Sequence, residues 1–409
     1  MTFELRPTTD EEFPVFARQL EDAFGFHFDE ANIDEFRSTT EIERTIAACD
    51  GDQIVGTAGA YSFELTVPGG VQVDAAGVTI VTVRSTHRRR GILRSMMAHQ
   101  LDDVAQRGEP IAILTASESL IYGRFGYGLA TLGASWKIDT DHAQLAHASR
   151  SDGRIRMSDA AEIGEHAPRL YDVRRTEIPG AVTRSDAWWK VWLKDRPFER
   201  DGASARWYVV HENGHGQIDG FLAYRRVRKW AAGVAQDELR ADQLYGVDDD
   251  VEAALWQYMF DHDLVGTVSA SSRPVDEPMR WRLADPRRIV TTEVTDKLWL
   301  RILDVPAALS SRHYGTDDRL VIEVDDRFRP ETSDRYLLEG APNGAACTRT
   351  DAEPDLTMDI ADLGAIYLGG VTATALRRAG RITEQRPDAA ARADTLFLST
   401  PAPWMTTGF

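Results

Sequence analysis

One stretch constrains this chain more than any other. Val78-Thr79-Ile80-Val81-Thr82-Val83 is β-branched at every position, and such side chains pack well on a pleated surface but lose χ1 freedom in a helix. It predicts a strand. Arg84-Ser85-Thr86-His87-Arg88-Arg89-Arg90-Gly91 follows, and Ile92 to Arg107 reads as a helix closed by Gly108 and Pro110. A strand that stops at a basic, glycine-containing loop and runs at once into a helix makes an anion site. The first helical N–H groups lack partners, the helix dipole adds positive charge, and Gly91 lets an anion approach the backbone. Composition alone favours arginine runs, since only Lys137, Lys190, Lys194, Lys229 and Lys297 are lysines among 47 basic residues. The strand before Arg88-Arg89-Arg90 and the helix after it turn the run into a phosphate site.

Elsewhere the chain is acidic. Its 47 basic and 65 acidic residues leave a net charge of −18, which opposes binding to nucleic acid or an anionic membrane. Hydrophobic residues at 43% and charged residues at 27% fit a globular protein of 409 residues with more than one domain. Cys49 and Cys347 stand far apart and read as reduced, packed thiols; no metal site is expected. The opening Met-Thr-Phe-Glu-Leu-Arg-Pro lacks a signal-peptide layout, and no stretch is long and apolar enough to span a bilayer. The expectation is a soluble, cytoplasmic protein.

Element patterns give an α/β layout with three regions, 1–150, 151–286 and 287–409. The first has a helix ending near Phe24, a hairpin across Asp50-Gly51, a short Val71–Asp74 strand, the β-branched strand with its helix, and a buried strand Ile111 to Leu114. The second repeats this loosely, with a hairpin over Trp207–Val210 and Ile218–Tyr224, a strand Leu239–Tyr245 and a helix Val251–Asp263. The third opens on Leu298 to Leu303 and continues through a strand Leu320–Val324 and helices Ile360–Tyr367 and Ala373–Arg378.

Neither G-x-x-x-x-G-K-[ST] nor G-x-G-x-x-G is present at the basic loop. Arg88-x-x-Gly91-x-Leu93 instead resembles the pyrophosphate loop of the GNAT acetyltransferases. Thr86-His-Arg-Arg-Arg-Gly-Ile-Leu-Arg94, Ala116-Ser-Glu118 and Ile121-Tyr-Gly-Arg-Phe-Gly-Tyr-Gly128 resemble, more narrowly, the enhanced-intracellular-survival (Eis) family. The likeness extends to Leu298-Trp299-Leu300-Arg301-Ile302 with Val305-Pro306-Ala307-Ala308-Leu309, and to Ile366-Tyr367-Leu368-Gly369. The resemblance implies two tandem GNAT-like domains followed by a sterol-carrier-protein-like domain, in a homo-hexamer. It implies acetyl-CoA as co-substrate, with the pantetheine arm held along Val81, Thr82 and Val83. The pyrophosphate would lie at Arg88, Arg89, Arg90, Gly91, Ile92, Leu93 and Arg94, with Ser117 and Glu118 also at the coenzyme. It further implies a tyrosine that protonates the departing thiolate, Tyr122 with Tyr127 as the competitor, and a general base supplied by the α-carboxylate of Phe409.

The degenerate character of the second region follows from charge. Val247-Asp248-Asp249-Asp250 stands where the first region has arginines, and three carboxylates repel a pyrophosphate. His211-Glu212-Asn213-Gly214-His215 matches the H-E-x-x-H zinc pattern, but that motif needs a helix, and Asn-Gly between two β-patterned runs predicts a hairpin turn. Phe24, Phe26 and Phe36 are candidates for an acceptor pocket, equally readable as ordinary core aromatics. The acceptor is a small primary amine: aminoglycoside, lysine and polyamine all remain open. The competing reading is a non-catalytic protein that holds an apolar ligand in a GNAT shell with a sterol-carrier-like domain.

Overall fold

Tight turns set the first sheet. Gly51, at φ 59°, turns the chain between β2 (Ile46–Asp50) and β3 (Gln53–Thr66), and Gly69 and Gly70 turn it again into β4 (Gln72–Val83). The computed structural model describes residues 3–25 and 27–409, so Phe26 lies outside the described residues. An edge strand, β1 (Glu4–Arg6), pairs with β2, and β2, β3 and β4 run antiparallel. β4 is one strand of 12 residues, where patterning suggested two pieces separated by Ala75-Ala76-Gly77. β5 (Ile111–Leu114) lies parallel to β4, and a strand at Trp299–Ile302 separates it from β6 (Gly128–Leu129).

Helices cover this sheet by ordinary amphipathic spacing. α1 (Phe13–Phe24) buries Phe13, Phe16, Ala17 and Leu20, one helical face. α2 (Glu30–Thr39) starts where the Asp29 carboxylate accepts from Asn32 N–H at 2.7 Å. α3 (Ile92–Gln106) buries Ile92, Met96, Met97, Leu101 and Val104. A single turn, α4 (Ser119–Tyr122), follows β5.

The chain forms two units. The first is Met1–Thr131 with Asp296–Pro403 and Thr407–Phe409; the second is Leu132–Thr295 with Trp404–Thr406. Besides the sheet above, the first unit holds a five-stranded sheet ordered Gly344–Arg349, Asp334–Ala341, Asp318–Asp325, Leu356–Asp359, Ile382–Glu384. Its helix Ile360–Ile366 is buried at every position and rests on the Trp299–Ile302 strand and β6. Backbone meets backbone there: a Cβ on Gly128 would overlap the Ala361 carbonyl, and one on Gly364 would overlap that of Leu300. Arg301, fully buried, pairs with the buried Asp326.

The second unit holds a seven-stranded sheet, ordered Val290–Asp296, Leu132–Asp139, Val265–Arg273, Asp237–Gly246, Ile218–Val227, Trp207–Glu212, Arg154–Ser158. The parallel pair Asp237–Gly246 and Val265–Arg273, joined through the helix Asp249–Phe260, repeats the β4–α3–β5 connection. Here Trp404 is buried against Tyr245, its N–H donating to the Pro179 carbonyl at 2.7 Å. His211-Glu212 closes a strand and Asn213–Gly216 forms the turn, with Gly216 N–H donating to Asn213 O at 2.9 Å. The zinc-pattern segment is therefore a hairpin, as its Asn-Gly predicts.

The glycine contact at the buried helix yields a stability prediction. Gly128→Ala puts a methyl into a helix carbonyl that cannot move, so it should destabilise by about 3 kcal/mol, at the upper end of overpacking costs. Gly108→Ala, at φ 79° with open space around it, should cost only about 1 kcal/mol of backbone strain. Thermal denaturation of the two variants, read side by side, checks the ranking.

Candidate active site

β4 and β5 pair over only three residues, Ala75↔Ile111, Ala76↔Ala112 and Gly77↔Ile113. β4 continues to Val83 while β5 ends at Leu114, so the two strands part after Gly77. On its other side β4 stays paired to β3, but with a bulge. Ile80 and Val81 stand opposite the single residue Ala58, and Ile80 takes φ 50°. A β-branched residue at positive φ is strained by about 1–3 kcal/mol and persists only where its surroundings hold it. Thr57 holds it here: its hydroxyl lies 2.7 Å from both the Ile80 carbonyl and the Thr82 hydroxyl. Val81 and Val83 are half-buried on the freed stretch, and Thr82 is buried.

The basic loop follows directly. Arg84 N–H donates to Val55 O at 2.8 Å, a short turn covers Ser85–His87, and Gly91 at φ 86° enters α3. No side chain caps the helix start, and a Cβ on Gly91 would meet nothing within 4 Å. Arg88, Arg89 and Arg90 are exposed. Arg90 reaches the Thr86 carbonyl at 3.1 Å, whereas among the described residues Arg88 and Arg89 have no acidic partner. Ile92 is buried beneath the loop and Leu93 is half-buried, while Arg94 lies 5.0 Å over the Phe328 ring. Uncapped amides and two uncommitted guanidinium groups fit a pyrophosphate.

The far side of the parting holds the chain terminus. Thr115, the residue after β5, donates its hydroxyl to the Phe409 terminal oxygen at 2.8 Å. The Phe409 ring stands edge-on to Phe63, centroids 5.0 Å apart. Gly77 makes this seat. A Cβ there would overlap the Phe63 ring and come within 3.3 Å of the Phe409 ring. Phe409 is thus fixed at the point where β4 and β5 separate.

Tyr122 ends α4 and is buried in the same cluster as Val78 of β4 and Leu114 of β5. Burial, reinforced by the Glu118 carboxylate, raises its pKa, so the phenol stays protonated. Its hydroxyl makes no hydrogen bond among the described residues. Tyr127, edge-on to Tyr122 at 6.0 Å, is fully buried, its hydroxyl also unpaired and its pKa raised further by burial. Tyr122 keeps 9% of its surface exposed and Tyr127 none, which gives Tyr122 the access a proton donor needs.

Ser117 and Glu118 are exposed in the connection from β5 to α4. Phe24, at the end of α1, is 44% exposed, whereas Phe36 packs against Phe13 at 5.3 Å and Phe28 at 5.8 Å as part of a core cluster. The fold therefore brings Val81–Arg94, Tyr122 and Phe409 to the parted end of β4 and β5. Three contributors were not picked out from the sequence. Thr115 and the Gly77–Phe63 pair act through contacts made at a distance in the chain, and Thr115 stands directly before the Ala116-Ser-Glu118 segment.

Known protein families match this chain along most of its length. An acetyltransferase (GNAT) domain model matches residues 4–130, a second GNAT domain model residues 180–302, and a sterol carrier protein domain model residues 305–406. An uncharacterized N-acetyltransferase of Streptomyces coelicolor is 41% identical over 415 residues, covering 100% of each chain. N-acetyltransferase Eis of Mycobacterium tuberculosis is 34% identical over 357 residues, 85% of this chain and 84% of its own. The crystal structure of Eis1 from Mycobacterium abscessus superposes with a TM-score of 0.88 at 33% identity, covering 99% of this chain and 100% of that one. The chain belongs to the Eis family of GNAT N-acetyltransferases, with two GNAT domains followed by a sterol carrier protein domain.

Proposed function

We propose that this enzyme transfers the acetyl group of acetyl-CoA to a small primary amine by direct attack, with the Phe409 α-carboxylate as general base and Tyr122 as general acid. The observation that carries the reading is the Thr115–Phe409 hydrogen bond at 2.8 Å, which holds a carboxylate where β4 and β5 part. The exposed amides of α3 and the guanidinium groups of Arg88 and Arg89 bind the coenzyme's pyrophosphate, and the free backbone of Val81 to Val83 binds its pantetheine arm. Acetyl-CoA supplies the activated acyl group. The Phe409 carboxylate takes the ammonium proton, freeing the lone pair for attack at the acyl carbon. As the C–N bond forms and the C–S bond breaks, Tyr122 gives its phenolic proton to the departing sulfur, and the second proton lost from nitrogen returns to the phenolate. Neither Cys49 nor Cys347 enters; both are buried, and burial raises both thiol pKa values. Aminoglycosides, lysine and polyamines share the acceptor chemistry, and a panel of these amines scored by thiol release from acetyl-CoA identifies the substrate. Family kinship supports a homo-hexamer, which sedimentation velocity reads directly. Among the described residues no helix is long and apolar enough to cross a membrane.

Arg89→Glu should weaken acetyl-CoA binding about tenfold or more, since it replaces attraction with repulsion beside a pyrophosphate. Asp249→Ala should leave that affinity unchanged, and calorimetry should find one coenzyme site per chain.

Tyr122→Phe keeps the ring and removes the proton. Turnover should fall about a hundredfold while acetyl-CoA affinity holds, the range expected for loss of a general acid. A larger loss from Tyr127→Phe would move the role to Tyr127.

A glycine added after Phe409 displaces the carboxylate by one residue. Turnover should collapse with folding and coenzyme binding intact, because a base out of register cannot reach the same proton. Undiminished activity of the extended chain on the same amine would remove the terminal carboxylate from the mechanism.

A further inference from the structure

The second unit contains a cleft of about 440 Å³, large enough for a small ligand, floored by His211. His211 is itself 1% exposed, and both its ring nitrogens are engaged. Nε2 lies 2.8 Å from the Ser151 hydroxyl, and Nδ1 lies 2.5 Å from a carboxylate oxygen of Asp219. A carboxylate at Nδ1 fixes the tautomer: Nδ1–H donates to Asp219 and the Nε2 lone pair accepts the Ser151 proton. We propose that Ser151, His211 and Asp219 form a nucleophilic relay that hydrolyses small neutral acyl esters bound in this cleft, a second activity independent of acetyl transfer.

The backbone is shaped around the trio. Strand Ile218–Val227 pairs with Trp207–Glu212 as Ile218↔Glu212 and Gly220↔His211, so Asp219 is the extra residue of a bulge. Bulges re-aim side chains, and this one turns Asp219 onto the imidazole. On the other side the loop after Ser151 is pressed onto the ring, so that a Cβ on Gly153 would overlap His211 Cε1. Gly153 N–H donates to Ser151 Oγ at 3.3 Å, leaving the hydroxyl proton for His211. The amide of Asp152, next after the nucleophile, donates to no acceptor among the described residues; that position supplies an oxyanion donor in other nucleophilic acyl transfers.

Ligand class follows from the lining. Ala148, Ile155 and Ala254 are apolar, Gln257 and Tyr258 offer hydrogen bonds, and Asp261 and His262 also line the cleft. Among the described residues lining the cleft none is lysine or arginine, which disfavours phosphates and free acids and favours an uncharged ester. Ser151 Oγ attacks the ester carbonyl carbon while His211 Nε2 takes the hydroxyl proton. The Oγ–C bond forms, the C–O bond to the alcohol breaks, and His211 returns the proton to the leaving oxygen. Water, deprotonated by His211, then attacks the acyl-serine; the C–Oγ bond breaks, His211 returns the proton to Oγ, and the carboxylic acid leaves.

The test uses the full chain, a fluorophosphonate probe and p-nitrophenyl acetate. One adduct is expected, mapped to Ser151 by peptide mass and absent from Ser151→Ala. Ester hydrolysis should fall at least about tenfold in Ser151→Ala. Asp219, a positioning residue, should when changed to Asn lower kcat on the ester at least about tenfold with KM unchanged. Both variants should keep acetyl transfer to amines, and the glycine-extended chain should keep ester hydrolysis, which separates failure of this site from failure of the acetyl-transfer reading. No adduct on Ser151 at millimolar probe, or equal ester hydrolysis in wild type and Ser151→Ala, overturns the proposal. Joint loss of ester hydrolysis and acetyl transfer in both variants overturns it too, by making the trio a structural tie.

Discussion

Everything at the candidate site depends on where β4 and β5 stop pairing. Three parallel pairs, ending at Gly77↔Ile113, fix the strands; beyond them β4 has N–H and C=O groups facing no strand. Backbone polar groups left unpaired away from water cost free energy, so a buried unzipped strand is sustained by a ligand or by solvent in a cleft. The bulge at Ile80 serves the same end, bending the strand at the parting. Its positive φ is a local cost of about 1–3 kcal/mol. That cost persists because Thr57 binds the Ile80 carbonyl and Gly59, held by Gln100 at 2.8 Å, leaves room for the Ile80 side chain.

The two GNAT domains share the strand–helix–strand connection and differ at one electrostatic point. At the start of α3 the amides have no internal acceptor. At the start of Asp249–Phe260 the Asp248 carboxylate accepts from Asp250 N–H and Val251 N–H, each at 2.9 Å. Asp249 pairs with Arg174, and Asp250 with Arg282 at 2.9 Å. An incoming phosphate would have to displace a tethered carboxylate and then face two more. One residue type, repeated three times, turns an anion site into a self-capped helix.

Much of this was legible in the sequence where the signal is local. The β-branched run, the glycine-bearing arginine loop and the helix from Ile92 stand where patterning predicts them, because strand preference, helix capping and turn chemistry act over a few residues. The break expected within Gln72–Val83 does not exist. Ala75, Ala76 and Gly77 have weak strand preference, but they are small because β5 and two aromatic rings press against them. The helix Ala160–Arg175 escaped notice because Pro168 interrupts its pattern, and Trp299–Ile302 gave no hint of its partners β5 and β6, nearly 200 positions away. Likewise Thr115 and Phe409 meet across 294 positions, a pairing that only the folded chain displays.

Ordering the last residues of the chain poses an entropic problem that this fold answers. Terminal residues normally fray, and ordering each backbone costs about 1–2 kcal/mol. The last three residues recover that cost through distinct contacts: Thr407 is buried, the Phe409 ring meets Phe63, and the terminal oxygen accepts from Thr115. Gly408 between them is exposed and adds no contact a Cβ would disturb. The aromatic ring is therefore more than an anchor of convenience. It gives the carboxylate a rigid lever arm whose other end is wedged where Gly77 has no side chain. The missing Cβ of Gly77, as much as any charged group, determines where Phe409 can sit.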